Sequence, residues 1–318
     1  MKNQLRNNGS HNCRLEGVVV PMVTPLTASG DVDGAGLDRL TEFLIAGGVH
    51  GLFALGSTGE FVSLTWEKQR QVLERLVRRA GKRVTVYAGV SSNCLDEIVS
   101  RAAEAAEIGA DVAVVLPPCY YRLSQAELIR FYSYVADRSP LPVVMYNMPF
   151  RTNNNIEPAT VDALSTHPRI VGIKDTVGDM ARTLEILGRV RERDDFAYLH
   201  GNELLSLPAI LYGARGLVPA IANFEPADLV AAYEAARRRD LANLPRWQAR
   251  IQGLMRVFGL LESRPQDSTT LRLKAIKAVL EIMGICESHM AQLDEPADSE
   301  QMEKIRQFAA AEKLVRAG

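Results

Sequence analysis

Apolar residues along this chain recur in two alternating rhythms. Short, nearly continuous apolar or β-branched runs lie near Gly17–Val23, Gly51–Leu55, Arg83–Gly89, Val112–Leu116, Val143–Tyr146, Ile170–Lys174, Phe196–His200 and Gly216–Pro219. Runs of this kind suit parallel strands covered on both faces. Between them, stretches such as Thr65–Ala80, Asp96–Ile108, Gln125–Asp137 and Asp179–Arg191 set apolar residues three and four apart among charges, the stripe of an outer helix. Gly109 and Gly213 fall where such helices must stop before the next strand. Eight strands alternating with helices predict a (β/α)8 TIM barrel.

After the eighth run the rhythm changes. Pro226–Arg238, Leu241–Leu261, Leu271–Met283 and Glu300–Val315 all read as helices with no strand between them, interrupted by turn-rich segments at Ser263–Ser268 and Asp294–Ser299. One of the four should close the barrel and the rest should form a C-terminal helical extension. The expected organisation is a polar tail over residues 1–14, a barrel over 15–240 and the extension over 241–318.

Composition narrows the partners. With 37 basic and 38 acidic residues the formal net charge is -1, so no long-range field favours nucleic acid or an anionic membrane. Hydrophobic residues at 47% and charged residues at 24% fit a globular chain with a sizeable core. No apolar run is long enough for a membrane span, because Pro21 and Pro25 break the first one. Cys13, Cys94, Cys119 and Cys286 form no C-x-x-C pair, which points to a reducing cytoplasm rather than a disulfide framework. The five histidines show no metal-ligand spacing, so neither a metal nor another cofactor is expected.

In a barrel of this kind reactive groups gather at the C-terminal ends of the strands. Strand two runs into Gly56-Ser57-Thr58-Gly59-Glu60, strand four into Pro117-Pro118-Cys119-Tyr120-Tyr121, strand five into Tyr146-Asn147-Met148-Pro149-Phe150-Arg151-Thr152, and strand six into Lys174-Asp175-Thr176. Lys174 ends a buried run, where desolvation disfavours the charged amine, and a neutral amine can attack a ketone to form an imine. Standing alone, such a lysine is more often a rim cation paired with a carboxylate such as Asp175. Its neighbours change the balance. Ser57, Thr58 and Gly59 offer hydroxyls and close backbone approach suited to a carboxylate, although a plain turn has the same composition. Tyr146 can move protons if its phenol is buried. Arg151 is a planar cation suited to a second carboxylate, or simply a surface arginine. Tyr120 and Tyr121 fit a subunit contact.

These motifs, together with Gly172-Ile173-Lys174-Asp175, resemble the dihydrodipicolinate synthase/N-acetylneuraminate lyase family over almost the whole chain. The resemblance implies that Lys174 is the Schiff-base lysine and Tyr146 the proton-shuttling phenol. It implies that Ser57 and Thr58 bind the pyruvate carboxylate and carry its hydroxyl relay, and that Tyr120 is lent to that relay by a neighbouring subunit of a homotetramer, a dimer of dimers. Arg151-Thr152 is similar to the synthases, where the arginine holds the carboxylate of aspartate semialdehyde. Ser57, Cys119 and Asn153 depart from them, standing where threonine, tyrosine and glycine are usual. A second reading is therefore a catabolic aldolase or dehydratase of 2-keto-3-deoxy sugar acids or 4-hydroxy-2-oxo acids, or an N-acetylneuraminate lyase-like enzyme. A barrel that only binds a ligand is the alternative of another class. The expected partners are small 2-oxo acids and aldehydes.

Overall fold

The structure, a computed structural model, describes residues 15–261, 270–291 and 296–314. The polar tail expected over 1–14, the turn expected at 263–268 and part of that at 294–299 lie outside the described residues. Eight parallel strands close into a barrel in the order β1 to β8: Gly17–Pro21, Gly51–Ala54, Thr85–Gly89, Val112–Val115, Val143–Asn147, Ile170–Asp175, Ala197–His200 and Gly216–Leu217. Gly17 and Val18 pair with Gly216 and Leu217 to complete the ring. The helices that follow them in turn are α1 Gly34–Ala46, α2 Trp66–Ala80, α3 Leu95–Ile108, α4 Gln125–Arg138, α5 Pro158–Ser165, α6 Met180–Val190, α7 Glu203–Leu211 and α8 Pro226–Arg237. Beyond them come α9 Leu244–Met255, α10 Thr270–Ile282 and α11 Ser299–Ala311.

Local chemistry sets these boundaries. Ser124 and Glu127 form a reciprocal capping box at the start of α4. Thr65 caps α2, and Gly81 ends it in the left-handed conformation at φ 57°. Strand β8 is shorter than its apolar run because Pro219 has no N–H to continue the ladder. The run 241–261 is a helix only over Leu244–Met255, with Pro245 in its first turn, and then tightens into a 3-10 turn at Arg256–Gly259. Helices α1, α5 and α7 stand outside the four stretches singled out for barrel helices by their periodicity. Helix α1 opens on two glycines, α5 is short, and α7 (ELLSLPAIL) is apolar nearly all round with Pro208 inside it.

Two cores result. The larger lies between the strands and the helices and includes Val18, Leu52, Ala88, Ile173 and Leu217 with apolar residues of every barrel helix. The smaller fills the barrel interior, where Val19, Phe53, Tyr87, Val144, Tyr146 and Leu199 meet. Because side chains alternate along a strand, the residues paired with an inward-facing position also face inward. Tyr146 pairs with Lys174, and Lys174 with Leu199. Lys174 therefore belongs to the interior face, while its neighbour Asp175 faces the helices.

Behind the sheet, His200 is fully buried. Its Nδ1 accepts from the Asn202 N–H at 3.0 Å, which leaves Nε2 to donate to Thr183 Oγ1 at 3.3 Å in the neutral ring. Burial pulls its pKa down from 6.5 to about 4, against the opposing pull of the Asp175 carboxylate. A group depressed in this way stabilises the fold fully above its unfolded pKa. Between pH 6.5 and about 4 the unfolded chain binds a proton that the folded chain refuses. The loss reaches about 3 kcal/mol at most. Thermal melts from pH 7 to pH 4 should show a shallower fall in Tm for His200→Gln than for the wild type; parallel curves would contradict this reading.

Candidate active site

Register brings the interior groups together at the mouth. The Lys174 amine lies 4.1 Å from the centre of the Tyr146 ring and 4.9 Å from that of Phe53, and the two rings meet edge to face at 6.2 Å. Lys174 is 5% exposed and Tyr146 2%. The Tyr146 hydroxyl is 3.4 Å from Ser57 Oγ and 3.1 Å from the Met148 sulfur. A lysine, a phenol and a hydroxyl thus form one contiguous group. Among the described residues the hydroxyl contact to Tyr146 comes from Ser57 and not from Thr58, which is partly buried one residue further on.

The turn carrying Ser57 is tightly determined. Leu55 and Glu60 both adopt left-handed backbone, at φ 61° and 57°. Conformations so unfavourable for side-chain-bearing residues persist only where the surroundings enforce them. Gly89 makes room for one of these residues, since a Cβ there would stand 2.1 Å from the Leu55 carbonyl oxygen. Gly59 lies close against the chain just after β1, and its carbonyl accepts from Thr24 Oγ1 at 2.8 Å. The amides of Gly59 and Glu60 donate to the carbonyls of Gly56 and Ser57.

Arg151 lies on a single helical turn, Pro149–Thr152, after β5. Its side chain shares a cavity of about 560 Å³ with Ser57, Asn93, Cys119 and Thr152. Asn153 ends that turn at φ 55°, a conformation asparagine tolerates better than most residues, so it can replace a glycine there. A buried network fixes the segment. Asp175 accepts from Asn147 Nδ2 at 3.1 Å and from Arg182 Nε at 3.0 Å, and Arg182 also donates to the Ile156 carbonyl. The Asn147 side-chain oxygen accepts from the Ile156 N–H at 3.0 Å. Asp175 is therefore paired with Arg182, which removes the simplest rim partner from Lys174.

Asn154, 1% exposed, joins the two mouth loops. Its amide donates to the carbonyls of Pro118 at 2.7 Å and Tyr121 at 2.9 Å, and its oxygen accepts from the Leu123 N–H at 2.6 Å. On the loop so held, Tyr120 is 79% exposed and meets Tyr121 edge to face at 5.0 Å. Within one chain Tyr120 stands outside the Ser57–Tyr146–Lys174 group.

Two acidic groups escaped the sequence reading of the site. Glu203 opens α7, and its Oε1 accepts from the Ala220 N–H at 2.8 Å. Burial pushes its carboxyl up, and the charge of Lys174 counts among the opposing pulls, so it lies within electrostatic reach of the lysine. Its place at the end of strand seven was the available signal. Glu60, quoted within the glycine-rich turn, proves to be buried against the C-terminal helices. Among the described residues no group of three His, Cys, Asp or Glu side chains is placed to hold a metal ion.

A closed parallel barrel whose interior face ends in a lysine, a phenol and a hydroxyl carries the groups that imine chemistry needs. The sequence matches the model of the dihydrodipicolinate synthetase family over residues 14–311. It is 33% identical to the 4-hydroxy-tetrahydrodipicolinate synthase of Methanoculleus marisnigri over 91% of this chain and 98% of that one. To the enzyme of the same name from Stenotrophomonas maltophilia strain R551-3 it is 36% identical, over 85% and 88%. The dihydrodipicolinate synthase of Bacteroides thetaiotaomicron superposes with a TM-score of 0.89 at 33% identity, over 95% of this chain and 100% of that one. A prophage protein of the dihydrodipicolinic acid synthase family from E. coli K12, solved in complex with pyruvate, gives 0.87 at 29% identity, over 94% and 99%. The chain belongs to the dihydrodipicolinate synthetase family and is a class I lyase.

Removing the bridge between the mouth loops tests how the site is held. Asn154→Ala should lower stability by about 1–2 kcal/mol, because it takes a partner from the carbonyls of Pro118 and Tyr121 and from the Leu123 amide, all joined through one buried side chain. Denaturant unfolding at wild-type stability would contradict the bridge.

Proposed function

We propose that this enzyme condenses pyruvate with aspartate semialdehyde through an imine on Lys174, as a 4-hydroxy-tetrahydrodipicolinate synthase. The observation that carries this reading is the buried Lys174 amine lying against the Tyr146 ring, with the phenol in contact with Ser57. The unprotonated amine attacks the 2-oxo carbon of pyruvate. Tyr146, through Ser57, delivers the proton that lets the carbinolamine lose water as the iminium forms. Loss of a methyl proton then gives the enamine, whose carbon attacks the aldehyde of the partner. Displacement of the lysine by the partner's own amine restores the free enzyme with the new carbon–carbon bond in the product.

The turn of Ser57 and Thr58 supports a carboxylate site. Among the described residues, the N–H groups of both make no hydrogen bond to the chain's own backbone, and both hydroxyls lie beside them. Arg151, in the same cavity as Ser57, suits the carboxylate of the second substrate. That favours a small carboxylate-bearing aldehyde over a neutral sugar aldehyde. An exposed apolar group at the mouth, Val62, Tyr120, Tyr121 and Phe150, suits a subunit interface. We place a neighbouring subunit there in a homotetramer, with Tyr120 offered to the partner's relay. Cys94, Cys119 and Cys286 are free thiols, which supports a cytoplasmic setting. No helix among the described residues is long and apolar enough to cross a membrane.

Three variants separate the roles. Lys174→Ala should abolish turnover of pyruvate with aspartate semialdehyde, and Tyr146→Phe should lower kcat by about 10²–10⁴-fold. Arg151→Ala should raise the KM for the aldehyde about tenfold or more and leave that for pyruvate unchanged. Turnover retained in the lysine variant would overturn the mechanism. Cleavage of 2-keto-3-deoxygluconate by a wild type inactive in condensation would move the enzyme to the catabolic aldolases.

A further inference from the structure

We propose that the buried Glu60–Lys277 ion pair is a positioning device of the pyruvate site, through which the C-terminal extension sets the Ser57–Thr58 turn against Tyr146. This rests on the functional reading above and adds to it a role for residues that touch no substrate.

Lys277 stands on α10 among the buried apolar residues Ala275, Ile276, Ala278, Val279 and Leu280, and is itself fully buried. Its amine lies 2.5 Å from Glu60 Oε1 and donates to the His289 carbonyl at 2.6 Å. The contact with Oε1 is ionic rather than a well-angled hydrogen bond. The other carboxylate oxygen, Oε2, accepts from the Ala291 N–H at 2.8 Å. Glu60 is thus gripped from two points of the extension, on α10 and on the segment that follows it.

At its other end Glu60 is part of the catalytic turn. Its amide donates to the Ser57 carbonyl at 3.2 Å, and its own carbonyl accepts from the Ser63 N–H at 2.9 Å. The left-handed φ of 57° at Glu60 is costly for a residue with a side chain and persists only if something fixes it. The ion pair is what fixes it. Stability alone does not call for a charge pair here, because a well-packed apolar pair in the same volume is often equally or more stable. Anchored at Lys277 by the His289 carbonyl and at Glu60 Oε2 by the Ala291 N–H, the pair supplies what apolar packing does not, a single setting of the turn. Burial pulls the pKa of Lys277 down, and the Glu60 carboxylate opposes that pull.

The test uses the full-length protein with Glu60→Gln, Lys277→Met and the double variant. Each single variant leaves one buried charge unpaired and loses stability, whereas the double variant buries no charge and should lose less than either single variant. The fraction of protein trapped by borohydride is measured against pyruvate concentration, and the KM for the aldehyde is measured in parallel. The proposal expects half-saturating pyruvate to rise about tenfold in the double variant, with the aldehyde KM within about twofold of wild type, because Arg151 sits on a separate loop. A double variant with wild-type pyruvate dependence, with equal losses for both substrates, or without a fold would overturn it. Failure of the wild type itself to trap pyruvate would sink the functional reading instead, and this inference with it.

Discussion

Tyr146 and Lys174 are paired neighbours on adjacent parallel strands, both on the interior face of a closed barrel. That register has two consequences which cannot be separated. The lysine is surrounded by the rings of Tyr146 and Phe53 and shielded from water, and its amine is delivered beside a phenol that reaches Ser57. A slip of one residue would turn the lysine outward among the helices and put Asp175 in its place. The remaining polar structure near the mouth can be understood as preventing that slip and orienting what surrounds the pair.

Asp175 does this from behind the sheet. Because it faces the helices, its carboxylate is free to bind Asn147 and Arg182, and Arg182 in turn holds the chain at Ile156. The segment bearing Arg151 is thereby tied to strands β5 and β6. Asn154 extends the same stitching to the loop of Tyr120. Buried polar groups are costly unless satisfied, and here their satisfaction also specifies where the loops lie. On the opposite side of the mouth the turn of Ser57 is held by Thr24 on the chain just after β1 and by the extension through Glu60. The mouth is thus flanked by two separately anchored loops.

Much of this was legible in the sequence because it rests on local rules. The short apolar runs marked all eight strands, since a parallel strand covered on both faces must be apolar on both. The positions at strand ends singled out Lys174, Tyr146, Ser57 and Arg151; the structure gathers the first three into one group, and Arg151 shares a cavity with Ser57. What escaped was long-range. Helix α7, apolar nearly all round, has no stripe to reveal it, and the reach of Lys277 to Glu60 spans the barrel and its extension with no sequence signal linking the two. The plainer alternative for Lys174 was a rim cation paired with a carboxylate such as Asp175. The alternation of side chains along β6 sends it instead to the other face of the sheet, where Arg182 binds it.

On the proposed reading the amine of Lys174, and no other, forms the imine. Borohydride reduction in the presence of pyruvate, followed by intact-mass measurement and peptide mapping, tests it most directly. The expected result is a single adduct on the peptide containing Lys174, its added mass that of pyruvate less water plus two hydrogens. An unmodified protein with its fold verified, or an adduct mapped to another lysine, would contradict it.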